Sequence, residues 1–306
     1  MSARSSASLL HNQPFSREGE VALRAAIAAG RVLRKKFYEA REINFKGYRD
    51  IVTDADFAAD RAARSILQRT FPNYGIMSEE DKTPPPDTEF IWMIDPLDGT
   101  TNYSRRIPIF SVSLALTRRG QPLVGVVYDP LRAECFFAER RCGAFLNGQR
   151  IHASRVDSFD RAVIGYELAR EQTLRERGLK LFAHLAAQSV TARVGGSAAL
   201  SLCYVSAGRL DAYMQLTLSP WDVAAGILIA REGGARVTHL DGQPATLHGG
   251  AYLAGAPKLF PKFLEQITEN LPFPRREGAH DRTRMRLPQS ASDHAKGGRF
   301  FSEEER

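Results

Sequence analysis

Apolar positions change their spacing twice along the first half of the chain. From Ser16 to about Ala40, Leu23, Ile27 and Phe37 recur among alanines at helical intervals, with Ser16 placed to cap the start. The next stretch, "REINFKGYRDIVT", loses that period and reads as a loop or hairpin. A second helix is predicted from about Asp56 to Phe71, burying Phe57, Ile66 and Leu67, with Asp54 and Asp56 at capping positions. "EFIWMI" is a short apolar run expected of a central strand that ends at Asp95. Three strand-like runs follow, "FSVSLAL", "LVGVVYD" and "AECFFAE", broken by "RRGQP" and "PLR". They predict an antiparallel meander, which "GAFLNGQRI" then leaves.

The second half alternates instead. "AVIGYE", "VTARV", "LDAYMQL" and "ARVTHL" read as strands. Helices are predicted over 173–188, 197–207, "PWDVAAGILIARE" and 257–269. Such alternation indicates an α/β layer. The expected organisation is a Ser-rich N-terminal tail over 1–15, an α+β half over 16–150, an α/β half over 151–272, and a charged tail over 273–306. Both tails lack apolar periodicity, which predicts disorder.

Composition narrows the partners only a little. Hydrophobic content of 43% and charged content of 25% are ordinary for a globular chain. A net charge of +7 suits an anionic ligand or weak contact with nucleic acid. The three cysteines, Cys135, Cys142 and Cys203, form no CxxC pair, which argues against a disulfide framework or a cysteine zinc site. No apolar run approaches the roughly 20 residues of a membrane span, so a cytoplasmic protein without a membrane partner is expected.

Candidate chemistry begins at "IDPLDGTTNY". Asp95 and Asp98 flank a proline at a strand end, where Pro96 fixes the backbone so that both carboxylates can face one place. Two carboxylates this close repel unless a cation lies between them. Hard cations such as Mg²⁺ take oxygen ligands, and Asp-x-x-Asp with the carbonyl between supplies such a set. Gly99 permits close backbone approach, and a helix starting there would offer free N–H groups to a phosphate. An isolated DxxDG reads first as a capped turn, and Asp222 in "PWDVAAG" reads first as a helix cap. Together with "SEED", carrying Glu79, Glu80 and Asp81, the three stretches favour a metal cluster.

"SEED", "WMIDPLDGTTNY" and "PWDVAAGILIAREGGARV", in this order and spacing, resemble the inositol monophosphatase family over about residues 17–270. The resemblance implies a five-layered αβαβα sandwich, of the inositol monophosphatase and fructose-1,6-bisphosphatase type. It implies a homodimer and lithium-sensitive, Mg²⁺-dependent hydrolysis of a small phosphate monoester, with two to three ions per site and Mn²⁺ as a substitute. Carried over by motif, Glu79, Asp95 and the Leu97 carbonyl would hold one ion, and Asp95, Asp98 and Asp222 a second. Glu79 would also serve a third, weaker site. Asp56 in "VTDAD" would pair with Thr100 and, with Glu79, position and deprotonate the attacking water. Asp54 is the alternative partner. Gly99 and Thr100 would bind phosphate, and Lys46 matches a lysine on a loop near the site, or is simply solvated. "GGSAAL" matches a substrate-contacting turn, so Gly196, Ser197 and Ala198 would face the alcohol together with Asp222.

One position departs from the family pattern. Seven residues before Asp222, where many members carry a glutamate that bonds sugar hydroxyls, this chain has Gln215. Glutamine keeps an acceptor, adds donors and loses the charge. Histidinol phosphate, a sugar phosphate and an inositol phosphate therefore all remain candidate substrates. The 3′-phosphoadenosine 5′-phosphate branch, with DGTKEF in place of "DGTTNY", ranks lower. P-loop, HExxH and GxSxG signatures are absent from the sequence. The rival expectation is a family member with weak or lost catalysis that regulates by binding RNA or protein, since some members act on transcription complexes.

Overall fold

The computed structural model describes residues 15–39, 42–47, 50–81 and 87–270. Of the predicted disordered tails, 1–14 and 273–306 lie outside the described residues, while Phe15 packs its ring against Phe137, 4.4 Å between centroids, and so belongs to the folded body. Helix α1 (Arg17–Lys36) begins as the sequence predicts, with the Ser16 hydroxyl accepting from the Gly19 N–H at 3.0 Å. Strands β1 (Ile43–Gly47) and β2 (Asp50–Thr53) pair as the expected hairpin. Helix α2 (Asp54–Thr70) starts two residues earlier than predicted, because Thr53 is its cap. Asp56 closes a capping box by accepting from the Thr53 N–H at 2.8 Å.

Phe57 is a correction: it is 42% exposed. The buried face of α2 is the stripe of Ala55, Ala59, Ala63 and Leu67, and Phe57 lies two residues off it, on the opposite side. That alanine stripe meets a similar one on α1, Ala22, Ala25, Ala26 and Ala29, and small residues let the two helices approach closely. The larger Leu23, Leu33 and Leu67 fill the flanks, each contributing about 1.5–3 kcal/mol by burial.

Strands β3 (Gly75–Ser78), β4 (Phe90–Asp98), β5 (Ser111–Arg118), β6 (Gln121–Asp129), β7 (Glu134–Glu139), β8 (Gly143–Leu146) and β9 (Gln149–Ile151) form one sheet in sequence order. The short helix α3 (Thr100–Ser104) interrupts the run. Only β3 and β4 are parallel; the rest is the predicted meander. "GAFLNGQRI" does not leave the sheet as expected, but adds β8 and β9 through a turn at Asn147 and Gly148, both at positive φ.

The second sheet contains β10 (Val163–Glu167), β11 (Thr191–Arg193), β12 (Ala212–Leu218), β13 (Arg236–Thr238) and β14 (Gly250–Gly255) in the order β11-β10-β12-β14-β13. Its helices are α4 (Gln172–Gln188), α5 (Ala198–Ser206), α6 (Pro220–Glu232) and α7 (Phe260–Asn270). Strand β10 runs parallel to β11 and β12, while β14 is antiparallel to both its neighbours.

Three apolar cores separate five layers. One packs α1 and α2 on the outer face of the first sheet. A second embeds α5 and α6 between the two sheets, so both helices are apolar almost all round. The third joins α4 and α7 to the far face of the second sheet. The layered α/β architecture is therefore the predicted one. No helix among the described residues is long and apolar enough to cross a membrane.

Candidate active site

Glu79, Asp95 and Asp222 come from three distant stretches of chain, and each offers a carboxylate oxygen within 4.8 Å of the others. Glu79 directly follows β3, and its N–H donates to the Ile94 carbonyl of β4 at 3.1 Å, which sets it beside Asp95. Strand β4 does not end at Asp95, as the sequence suggested, but continues to Asp98 through a bulge. Asp95 lies opposite Ser113 and Asp98 opposite Ser111, so an extra residue sits between them. Asp222 is in the first turn of α6 and accepts from the Ser219 N–H at 2.7 Å. The helix-cap reading of Asp222 is therefore right, and it joins the cluster as well. Of the other acids in "SEED", Glu80 pairs with Lys46 at 2.6 Å and Asp81 with Arg64 at 3.1 Å.

Asp98 is not part of this trio. Its Oδ1 accepts from the Ala198 N–H at 3.0 Å, and its Oδ2 from the Ala199 N–H at 3.0 Å. The hydroxyls of Ser111 and Ser197 also donate to Oδ2. Asp98 nonetheless stands close enough for its charge to act on both Asp95 and Asp222. The N-terminus of α5 attracts its carboxylate. With a single donor, Oδ1 keeps an acceptor position.

Buried acids this close cannot all ionise cheaply. Burial, followed by the charges of Glu79, Asp98 and Asp222, pushes Asp95 well above the usual carboxylate range. Burial and Glu79 act likewise on Asp222. Burial pushes Asp98 up to about 6, although its four hydrogen bonds oppose the shift. Among the described residues, neither Asp95 nor Asp222 has an ion-pair partner, and Lys46 reaches only the rim, 3.5 Å from Glu79. An all-oxygen set of mutually repelling carboxylates fits Mg²⁺ or Mn²⁺, whose charge would relieve the repulsion.

A second pair stands beside the cluster. The Thr100 hydroxyl, at the start of α3, lies 3.2 Å from Asp56 Oδ1 and 2.9 Å from the Leu97 carbonyl. Asp56 is 1% exposed, and burial pushes it up to about 6 against the donated bonds from Thr53. Asp54 instead forms a salt bridge with Lys36 of α1. Gly99, the residue before α3, has φ of 98°, a left-handed conformation that glycine adopts without a Cβ penalty.

The remaining predicted contacts divide. Gly196 is exposed with φ of 80°. Ser197 and Ala198 are 1% and 5% exposed, and the Ser197 hydroxyl and the Ala198 N–H both donate to Asp98. Gln215 is half-buried on β12; its Oε1 accepts from the Tyr213 hydroxyl at 2.6 Å and its Nε2 donates to the Thr217 carbonyl at 3.2 Å.

Sequence reasoning missed two residues that brace this region. Glu167, at the end of β10, accepts from the Gly195 and Gly196 N–H groups at 3.0 and 2.8 Å. Asn102 Nδ2 donates to the Gly195 and Ile109 carbonyls, both at 2.8 Å. Neither carries a signal in one sequence: a lone Glu at a strand end and a lone Asn in a short helix match no motif.

The sequence profile of the inositol monophosphatase family matches residues 17–271. A curated relative, the Nus factor SuhB of Vibrio cholerae, is 39% identical over 254 residues, covering 82% of this chain and 95% of that protein. Among solved structures, the extragenic suppressor protein SuhB of Bartonella henselae superposes with a TM-score of 0.80 at 33% identity, covering 83% and 99% of the two chains. The inositol monophosphatase of Anabaena superposes with a TM-score of 0.74 at 33% identity, covering 82% and 95%.

Proposed function

The chain belongs to the inositol monophosphatase family, and from that premise we propose that it hydrolyses a small phosphate monoester with the help of Mg²⁺. The observation that carries the reading is the convergence of Glu79, Asp95 and Asp222 beside the Asp56–Thr100 pair. Glu79, Asp95, the Leu97 carbonyl, Asp98 and Asp222 would hold two to three Mg²⁺ or Mn²⁺ ions. When bound, these ions would neutralise phosphate charge and make a nucleophilic water available at neutral pH.

The chain's own groups do the rest. The Gly99 and Thr100 N–H groups at the start of α3 would hold the phosphate oxygens. Thr100, Asp56 and Glu79 would orient the attacking water, and Asp56, with its raised affinity for a proton, would accept one from it. Positioning and charge neutralisation then account for most of the barrier reduction, with no covalent intermediate. Gly196 and Gln215 would face the alcohol, and Lys46 would close the rim beside Glu79. The substrate is of the inositol phosphate, histidinol phosphate or sugar phosphate class, and the protein would act as a cytoplasmic homodimer. The test is phosphate release with Mg²⁺ from inositol 1-phosphate, histidinol phosphate, fructose 1,6-bisphosphate and glycerol 2-phosphate. Turnover of at least one supports the reading, and none at any Mg²⁺ or Mn²⁺ level would reject it.

A second reading draws on the name of the relatives. The Vibrio cholerae protein at 39% identity is called a Nus factor, and the chain's charge of +7 is compatible with contact to RNA. A regulatory role would then accompany or replace catalysis. RNA affinity that falls steeply with added salt would favour it.

A further inference from the structure

Asp98 owes its direction to a turn, and the turn owes its shape to residues that carry no part of the chemistry. Two α5 N–H groups, from Ala198 and Ala199, and the Ser197 hydroxyl all donate to Asp98. Those donors are only in place if the preceding turn, Gly195–Ser197, is held. On one side, Asn102 Nδ2 grips the Gly195 carbonyl at 2.8 Å. A Cβ on Gly196 would meet that same Nδ2 at 2.5 Å, and one on Gly99 would meet the Gly196 carbonyl at 3.0 Å, so the turn is wedged against the start of α3. On the other side, Glu167 Oε1 accepts two successive N–H groups, from Gly195 and Gly196. Successive amides pointing one way make an anion-binding concavity, and here a side chain of the protein fills it.

Glu167 is 6% exposed and takes part in no ion pair among the described residues. A further buried acid beside a carboxylate cluster is costly unless its bonds matter. Its position follows from the sheet: Glu167 is the last residue of β10 and is level with Gln215 on the parallel neighbour β12.

We propose that Glu167 is a positioning residue of the active site. By clamping the Gly195–Ser197 turn it holds the first donors of α5 on Asp98, and so fixes the oxygen Asp98 can offer to a cation. The kinetic part of this proposal rests on the phosphatase reading; the metal-binding part does not.

The test compares Glu167→Ala, Glu167→Gln and wild type in Mn²⁺-binding isotherms on the full chain, with steady-state kinetics and melting run alongside. Outer-shell partners typically affect metal affinity by about 10–100-fold. Glu167→Ala is expected to weaken the lower-affinity Mn²⁺ step by about that factor and to lower kcat more than it raises KM. Glu167→Gln keeps an acceptor for the two N–H groups, so its isotherm should stay within about threefold of wild type by the same reasoning. A Glu167→Ala protein that melts earlier but binds Mn²⁺ as wild type does would overturn the proposal, as would a Gln variant as impaired as the Ala one. Should Glu167→Ala fail to fold, Asn102→Ala releases the same turn from the other side, and unchanged Mn²⁺ binding there would equally refute it. If wild type binds Mn²⁺ but hydrolyses nothing, the phosphatase reading fails and the metal isotherms still decide the role of Glu167.

Discussion

The Thr100 hydroxyl stands 3.2 Å from Asp56 Oδ1, joining the first turn of α2 to the first turn of α3 across 44 residues of sequence. Its single proton can go to Asp56 or to the Leu97 carbonyl at 2.9 Å, so one hydroxyl reaches both the acid and the backbone of the Asp95–Asp98 bulge.

Replacing Thr100 by Ala should therefore separate chemistry from binding. Loss of a group that positions a proton acceptor costs typically 10²–10⁴-fold in rate. We expect kcat to fall by about 10²-fold or more, KM to change little, and the Mg²⁺-induced rise in Tm to persist. Kinetics and melting curves on the same preparation check this.

The acid cluster predicts an unusual dependence of stability on pH. Asp56 and Asp98 are pushed up to about 6 and Glu167 to about 7 in the metal-free fold, all chiefly by burial, against about 4 for an unfolded carboxyl. A group with a raised folded pKa binds its proton more tightly when folded, so its stabilisation is present at low pH and is lost as pH rises through about 4 to 7. Metal-free protein should thus melt higher near pH 5 than near pH 8, and saturating Mg²⁺ should restore most of the loss at pH 8. Differential scanning calorimetry with and without chelator measures both.

Gly99→Ala should be severe for a residue one methyl larger. The backbone there has φ of 98°, and the new Cβ would stand 3.0 Å from both the Gly196 and Ile109 carbonyls. Strain of this kind costs about 1–3 kcal/mol. The variant should unfold at lower urea and lose phosphate release, because the displaced atoms include the turn beneath Asp98. Unchanged urea midpoints would count against the packing described here.

On the proposed reading, Gln215 bears on substrate choice. If Gln215 faces the alcohol as proposed, Gln215→Glu supplies a charged acceptor there, and a charged hydrogen bond exceeds a neutral one by about 1 kcal/mol. The ratio of kcat/KM for inositol 1-phosphate over fructose 1,6-bisphosphate should rise several-fold. Metal dependence should stay as in wild type.

Much of this was readable in one sequence, and the parts that were not share a physical cause. Helices α1 and α2, the meander and the helix holding Asp222 announced themselves through strong periodicity. Strand β14 did not, because "GGAYLAG" is glycine-rich and buried on both faces. Phe57 misled because helical period alone does not say which face turns inward, and here the alanine stripe does. Asp95 and Asp222 were legible because their neighbours are distinctive. The direction of Asp98 was not, since it depends on α5, a hundred residues away. Glu167 and Asn102 act only through backbone groups brought close by the fold, and no local pattern encodes that.

The most direct test of the central claim is a Mg²⁺ titration of phosphate release, run on wild type and Asp95→Asn with the substrate that wild type prefers. The account predicts activity that rises from near zero in chelator to saturation with Mg²⁺. Asp95→Asn should remain inactive across the same range while its metal-free Tm is at least that of wild type, because one repelling charge has left the cluster. Release of phosphate by wild type without any divalent cation, or full activity in Asp95→Asn, would contradict it.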